Sequence, residues 1–235
     1  MARNGKGLPS SVQQAAVDAF LKKVAAAPVA PHEGRGRLLF ALDATASREP
    51  TWRQACRIQA EMFREAAALG GLDIQLAFYR GFAEFQASPW TSHGDALLRW
   101  MADVHCVGGQ TQLRKVLDHA LAETRVRKLN AVVFVGDCME EDVDRLSAKS
   151  GELGLLGVPL FIFHEGDDPV AAQAFAGFAR LSGGACCRFD ASSSDQLRDL
   201  LRAVAVYAAG GRPALKDFSA RRGGIALRLI EQVRS

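Results

Sequence analysis

Five oxygen-bearing side chains stand at positions of the sequence where an α/β fold places its chemistry. Asp43, Thr45 and Ser47 occupy alternate positions directly after a run of large apolar residues, and Asp137 follows a second such run. Thr111 precedes a long predicted helix. Continuous apolar runs are typical of strands buried on both faces, and an open parallel sheet binds ligands outside the carboxyl ends of its strands. If the two runs form neighbouring strands, the five side chains meet in one crevice.

The chemistry of this crevice follows from its ligand atoms, which are all oxygen. Oxygen ligands suit hard cations rather than zinc or copper. The sequence therefore predicts a divalent-cation site, with Mg²⁺ as the expected ion and Mn²⁺ or Ca²⁺ as alternatives. The five cysteines show no CxxC or Cys/His spacing, which indicates reduced thiols rather than a metal site or a disulfide framework.

The elements that must position these residues alternate along the chain. Strands are predicted at 37–42, 72–79, 82–86, 131–135, 158–163 and 185–189, and helices at 10–27, 50–69, 95–104, 112–127, 142–156, 169–182 and 193–209. The short turn at Gly81 predicts an antiparallel hairpin at one edge of the sheet. The predicted fold class is α/β: a three-layer, doubly wound, mostly parallel sheet with one antiparallel edge strand.

The chain divides into three predicted regions: an N-terminal helix and linker (1–35), the α/β domain (36–211) and a basic C-terminal extension (212–235). The net charge of +3 is too small to indicate a nucleic-acid or membrane partner by itself. No run approaches the ~20 apolar residues of a membrane span, and the N-terminal residues lack the apolar core of a signal peptide. We therefore expect a cytoplasmic protein.

The Asp43–Ser47 segment, Thr111 and Asp137 together resemble the metal-ion-dependent adhesion site of the von Willebrand factor type A (vWA) domain. The pattern of that family is Asp-x-Ser-x-Ser, then a threonine, then an aspartate. Asp43, Thr45 and Ser47 match the first part, Thr111 in GGQTQL the second, and Asp137 in FVGD the third. Thr45 replaces the usual serine and keeps the hydroxyl. The resemblance covers most of the chain and implies a Rossmann-like vWA fold.

By this resemblance, the hydroxyls of Ser47, Thr45 and Thr111 contact the metal, while Asp43 and Asp137 act directly or through water. Neutral hydroxyls leave the cation much of its charge and an open position, which favours a carboxylate from a partner as a further ligand. The expected function is therefore a metal-dependent protein-interaction module that binds an Asp or Glu side chain of a partner protein, and not an enzyme.

Simpler roles are open for individual residues. Thr111 taken alone is explained by capping of the helix that follows. Glu140 and Glu141, beside Asp137, are expected to favour a helix dipole rather than to bind a metal. His164 and Glu165 follow a predicted strand and are expected on the solvated rim of the sheet.

Two alternative functions also stay open. A haloacid-dehalogenase-type phosphohydrolase, which is Mg²⁺-dependent, also begins with an aspartate after its first strand. Its second aspartate, the usual acid/base, corresponds to Thr45 here. An RNA- or DNA-associated vWA protein is supported only by the arginines of the C-terminal extension, such as Arg221 and Arg222.

Overall fold

The structure is a computed structural model that describes residues 15, 18–20, 22–24, 26, 35–50, 52, 72–189 and 202–210. The basic extension and most of the helix predicted at 50–69 lie outside the described residues, and so does the first half of the helix predicted at 193–209. The domain boundaries at 35 and 211 therefore stay predictions.

Six strands form one sheet with the order β3-β2-β1-β4-β5-β6. The strands are β1 (Gly36–Asp43), β2 (Leu72–Arg80), β3 (Glu84–Ala87), β4 (Ala131–Gly136), β5 (Leu160–Glu165) and β6 (Cys186–Phe189). All neighbours are parallel except β3, which pairs antiparallel with β2 at the edge. The predicted fold class and its antiparallel edge strand are confirmed.

Helices cover both faces of this sheet. They are α1 (Gly94–Ala102), α2 (Leu113–Val126), α3 (Val143–Leu155) and α4 (Pro169–Leu181), with further helical residues at 202–210. Asp142 and Asp168 cap α3 and α4 by accepting hydrogen bonds from backbone N–H groups of the first turn. None of the described helices has the length and apolar character that a membrane crossing requires.

Two apolar clusters hold the three layers together. One face of the sheet packs against α1, residues 202–210, Phe20 and Val24. The other face packs against α2, α3 and α4. All eight residues of β1 are buried, as expected for a strand covered on both faces.

Strand β5 extends two residues beyond its predicted end. His164 and Glu165 pair with Arg188 and Phe189 of β6, and they are 1% and 7% exposed. The expectation that these two residues lie on the solvated rim was wrong, because pairing with β6 continues the strand into the interior.

Strand β1 lies between β2 and β4, and the connections lead away from it in opposite directions. This is the topological switch point at which open α/β sheets bind ligands. The register places Asp43 beside Tyr79 of β2, and Leu42 beside Val135 of β4. Asp43 therefore ends the central strand at the crevice predicted from the sequence.

Candidate metal centre

Asp43 is the last residue of β1 and is fully buried. Its Oδ1 accepts hydrogen bonds from the Thr45 backbone N–H at 2.8 Å and from Thr45 Oγ1 at 2.6 Å. Thr45 Oγ1 lies 3.1 Å from Ser47 Oγ. The three residues of the Asp-x-Thr-x-Ser segment are thus linked through their own side chains, and Ser47 is exposed at the outer end.

The second carboxylate oxygen of Asp43 is bound by a residue that the sequence analysis did not select. Tyr79 donates a hydrogen bond of 2.8 Å to Asp43 Oδ2 from its buried hydroxyl. Burial and the neighbouring Asp43 carboxylate raise the pKa of Tyr79 well above its ordinary value, so the phenol stays a donor.

A short 3₁₀ helix, Ala46–Arg48, begins within the segment and turns Arg48 inward. The Arg48 guanidinium donates to the Asp43 carbonyl oxygen at 2.7 Å through Nη1 and to Glu165 Oε2 at 2.9 Å through Nε. The Arg48 side chain is 0% exposed and that of Glu165 is 9% exposed. This ion pair ties the loop after β1 to the end of β5.

Asp137 follows β4 on the other side of Asp43. A Cβ placed on the preceding residue, Gly136, would lie 3.5 Å from Asp43 Cβ, so the backbone of β4 passes close to Asp43. The buried Asp137 Oδ1 has no hydrogen-bond partner among the described residues. Burial raises the pKa of Asp43, hydrogen bonds from Thr45 and Tyr79 oppose this rise, and the charge of Asp137 adds to it.

Thr111 is joined to the loop that follows Asp137. Its backbone N–H donates to Glu140 Oε2 at 3.0 Å, and Thr111 Oγ1 accepts from the Glu140 backbone N–H at 3.1 Å. Glu141 accepts from the backbone N–H groups of Leu113 and Arg114. Glu140 and Glu141 thus bind the backbone at the start of α2, a helix distant from them in sequence, while Thr111 makes no side-chain cap.

The Thr111 loop is also held by the turn between β2 and β3. Gln110 N donates to the Gly81 carbonyl oxygen at 3.2 Å, and Gln112 Nε2 donates to the same oxygen at 3.0 Å. A Cβ on Gly109 would lie 1.9 Å from Gly81 O. Glycine is therefore required at position 109 for this contact between two backbones.

No family model and no curated protein matches the sequence. Several solved structures, however, are similar to the fold of this chain. The VWA domain of SpRpn10 is 14% identical with a TM-score of 0.59, over 69% of this chain and 94% of that one. A von Willebrand factor type A protein from Catenulispora acidiphila is 12% identical with a TM-score of 0.55, over 74% of this chain and 43% of that one.

A third match is proximal thread matrix protein 1 from the mussel byssus, in a structure with a zinc-occupied MIDAS motif. It is 16% identical with a TM-score of 0.57, and the match covers 73% of this chain and 45% of that one. The chain has a von Willebrand factor type A fold. At these identities the likeness establishes the fold alone.

The residues at the crevice of this vWA fold fit a hard cation. Asp43 and Asp137 are carboxylates whose charges interact, and the side chains of Thr45, Ser47 and Thr111 are hydroxyls. The part of the chain that the structure describes contains no group of three or more His, Cys, Asp or Glu residues arranged to hold a metal. The unpartnered Oδ1 of Asp137 is a buried acceptor of the kind that a cation or a metal-bound water satisfies.

Two residues that contact Asp43, Tyr79 and Arg48, were missed by sequence reasoning, and Glu165 was expected on the solvated rim rather than in an ion pair with Arg48. Tyr79 occurs in a strand whose alternation marks it only as a half-buried position. Arg48 lies one residue beyond the Asp-x-Thr-x-Ser segment, where an arginine is ordinarily a solvated side chain. No signal in the sequence joins Arg48 to Glu165, because 117 positions separate them.

Proposed function

We propose that this chain is a divalent-cation-dependent protein-interaction module. Asp43, Thr45, Ser47, Thr111 and Asp137 would hold the cation at the carboxyl end of the sheet, with Mg²⁺ as the ion expected in the cell. The partner would present an Asp or Glu side chain.

The observation that carries the proposal is the pair of carboxylates at the switch point. Asp43 is fully buried, and the described hydrogen bonds to its carboxylate come from the neutral groups of Thr45 and Tyr79. Asp137 Oδ1 is buried without a described partner. Burial and the charge of Asp137 disfavour the charged form of Asp43, so a cation bound at this position stabilises the Asp43 carboxylate.

The protein's own residues would have separate roles in binding the partner. The bound cation supplies an electrophilic centre for a carboxylate oxygen of the partner. Asp43, held at both oxygens by Thr45 and Tyr79, is fixed in position rather than free to rotate. Exposed Ser47 lies at the solvent side of the segment, where an incoming ligand arrives.

We also propose that the module acts inside the cell and is not an enzyme. The cysteines at 106, 138, 186 and 187 are free thiols, which fits a reducing compartment. Thr45 stands where a phosphohydrolase of the alternative class needs an acid/base carboxylate, and a hydroxyl of ordinary pKa does not take that role.

The test is cation binding by the full chain, measured by calorimetry and by thermal unfolding with Mg²⁺, Mn²⁺, Ca²⁺ and Zn²⁺. We expect a concentration-dependent rise in Tm, corresponding to about 2.7 kcal/mol at a cation concentration of 100 Kd. Asp43→Ala and Asp137→Ala remove the rise, whereas exposed Asp95→Ala, on α1, retains it. Equal Tm values with cation and with chelator would refute the proposal.

The functional readout is capture of partners in Mg²⁺ and in chelator, with Asp43→Ala in parallel. We expect a set of partners that is lost in both controls. Hydrolysis of a generic phosphate monoester that requires Mg²⁺ and is abolished by Asp43→Asn would instead identify a phosphohydrolase.

A further inference from the structure

Two exposed apolar side chains flank the candidate site on the side of the sheet edge formed by β2 and β3. Phe82, at the tip of the β2–β3 turn, is 78% exposed, and Val107 is 37% exposed. Val107 lies beside the metal segment, because its backbone N–H donates to the Ala44 carbonyl oxygen at 3.0 Å and it forms a β-bridge with Thr45. We call Phe82 and Val107 the apolar rim.

The turn that carries Phe82 is fixed to the Thr111 loop. Gly81 O accepts hydrogen bonds from Gln110 N and Gln112 Nε2, as described above, and Lys115 Nζ donates to Ala83 O at 2.5 Å. The backbone on both sides of Phe82 is thus anchored, while its ring projects into solvent. A rigidly presented aromatic ring binds with little loss of conformational entropy.

The opposite side of the site, away from Phe82, carries an excess of acidic side chains. The loops after β4 and β5 and the first turn of α3 bear the carboxylates Glu140, Glu141, Asp142, Asp144, Asp167 and Asp168. Three arginines of the described chain lie on this side: Arg114, Arg145 and Arg188. The carboxylates outnumber the arginines, and we call this region the acidic rim. The charged side chains next to Phe82, by contrast, are two bases, Arg80 and Lys115, and one acid, Glu84. Glu84 pairs with Arg80 at 2.8 Å.

This asymmetry restricts how an acidic ligand can approach. If the partner's acid is flanked by further negative charge, the acidic rim repels it. A basic side chain beside the partner's acid is instead attracted to the acidic rim. An apolar neighbour gains from covering Phe82, because burial of one large apolar side chain is worth roughly 1.5–3 kcal/mol. Val143 and Val170 are also exposed within the acidic rim, so the two rims differ in their charge and in the exposed aromatic ring of Phe82.

We propose that the partner is a protein segment in which the metal-binding acid stands between an apolar side chain, which covers the apolar rim, and a basic side chain, which faces the acidic rim. This inference rests on the proposed function for the position of the acid. The two rims themselves are features of the described surface.

The test uses short synthetic peptides in a Gly/Ser background and the full chain in Mg²⁺. The first peptide carries a central Glu alone. The other two carry the same Glu between Leu and Lys, one in the order Leu–Glu–Lys and one in the order Lys–Glu–Leu. We expect one of the Leu–Glu–Lys orders to bind at least tenfold more tightly than Glu alone. Phe82→Ser and Val107→Ser each weaken that peptide, Phe82→Ser by about tenfold, and leave Glu alone unchanged.

Matched controls separate this inference from the proposed function. Leu155→Ser, which alters a side chain 92% exposed at the far end of α3, leaves all affinities unchanged, and Asp167→Lys weakens only peptides with Lys. Equal affinity of the three peptides, or wild-type affinity in Phe82→Ser, overturns the inference. Tighter binding by Phe82→Ser also overturns it, since the apolar rim is then covered by this chain or by a second copy. If Asp43→Ala changes no affinity while Phe82→Ser does, the cation proposal fails and the docking surface stands.

Discussion

The hydroxyl of Tyr79 donates a 2.8 Å hydrogen bond to Oδ2 of Asp43, and both residues are 0% exposed. Their positions opposite each other in the β1–β2 register produce this contact. Because Thr45 binds the other oxygen, the carboxylate of Asp43 is held at both ends by neutral donors. A buried acid at the centre of the site is therefore oriented before any cation arrives.

Replacement of Tyr79 by Phe tests this relationship. Removal of the hydroxyl leaves a buried acceptor with one donor fewer, so we expect the free energy of unfolding in chelator to fall by about 1–3 kcal/mol. Urea denaturation measures the change. In an Asp43→Asn background the same replacement has a smaller effect, because no charged acceptor remains, and equal effects in the two backgrounds would show that Tyr79 acts through packing alone.

Replacement of Gly109 by Ala should disturb the loop that carries Thr111. The new Cβ would lie 1.9 Å from Gly81 O, a backbone atom that cannot rotate away, so we expect destabilisation of about 1–3 kcal/mol and weaker cation binding. Gly108→Ala is the matched control, because nothing lies within 4 Å of its Cβ and neither glycine has a positive φ. Calorimetric cation affinities that are equal in the two variants would contradict the predicted role of this contact.

The buried Arg48–Glu165 pair should be costly to break. Glu165→Gln removes the negative charge that pairs with Arg48 at 2.8 Å, and removal of one member of a buried pair costs about 3–5 kcal/mol. Thermal and urea unfolding measure the loss. The double variant Arg48→Met/Glu165→Leu should recover part of the stability, because no uncompensated charge remains. A single variant as stable as the wild type would mean that the pair is not buried in solution.

His119 should make stability depend on pH. Burial lowers its pKa below the ordinary value of 6.5, and the nearby Arg37 adds to this effect while Glu123 opposes it. His119 Nε2 lies 2.8 Å from Gln75 Oε1, and the imidazole lies 5.3 Å from the Phe85 ring. As the pH falls through the unfolded value, the unfolded chain takes up a proton that the folded protein resists, so stability decreases.

The measurement compares urea denaturation at about pH 7.5 and about pH 5.5. We expect the wild type to lose more stability over this range than His119→Gln, which has an amide donor for Gln75 and no titrating ring. The pKa of His164 is lowered in the same direction by burial, so the difference between the two proteins, rather than either curve, reports on His119. A pH dependence unchanged by the substitution would exclude this role.

The sequence by itself determined the fold class and the edge strand, because these follow from local patterns. Apolar runs such as the one before Asp43 predict buried strands, and the short turn at Gly81 allows only an antiparallel neighbour. Asp168 followed by Pro169 predicted the start of α4 correctly. The placement of Asp43 and Asp137 at one crevice also needed only the rule that parallel strands end on the same side.

The tertiary structure decided which side chains surround these two acids. Tyr79 reaches Asp43 only because of the β1–β2 register, and Arg48 reaches Glu165 only because β4 brings β5 near to β1. Glu140 binds Thr111 across a gap of 29 positions in the sequence. Such contacts depend on strand order, register and packing between distant segments, and periodicity along one segment carries no information about them.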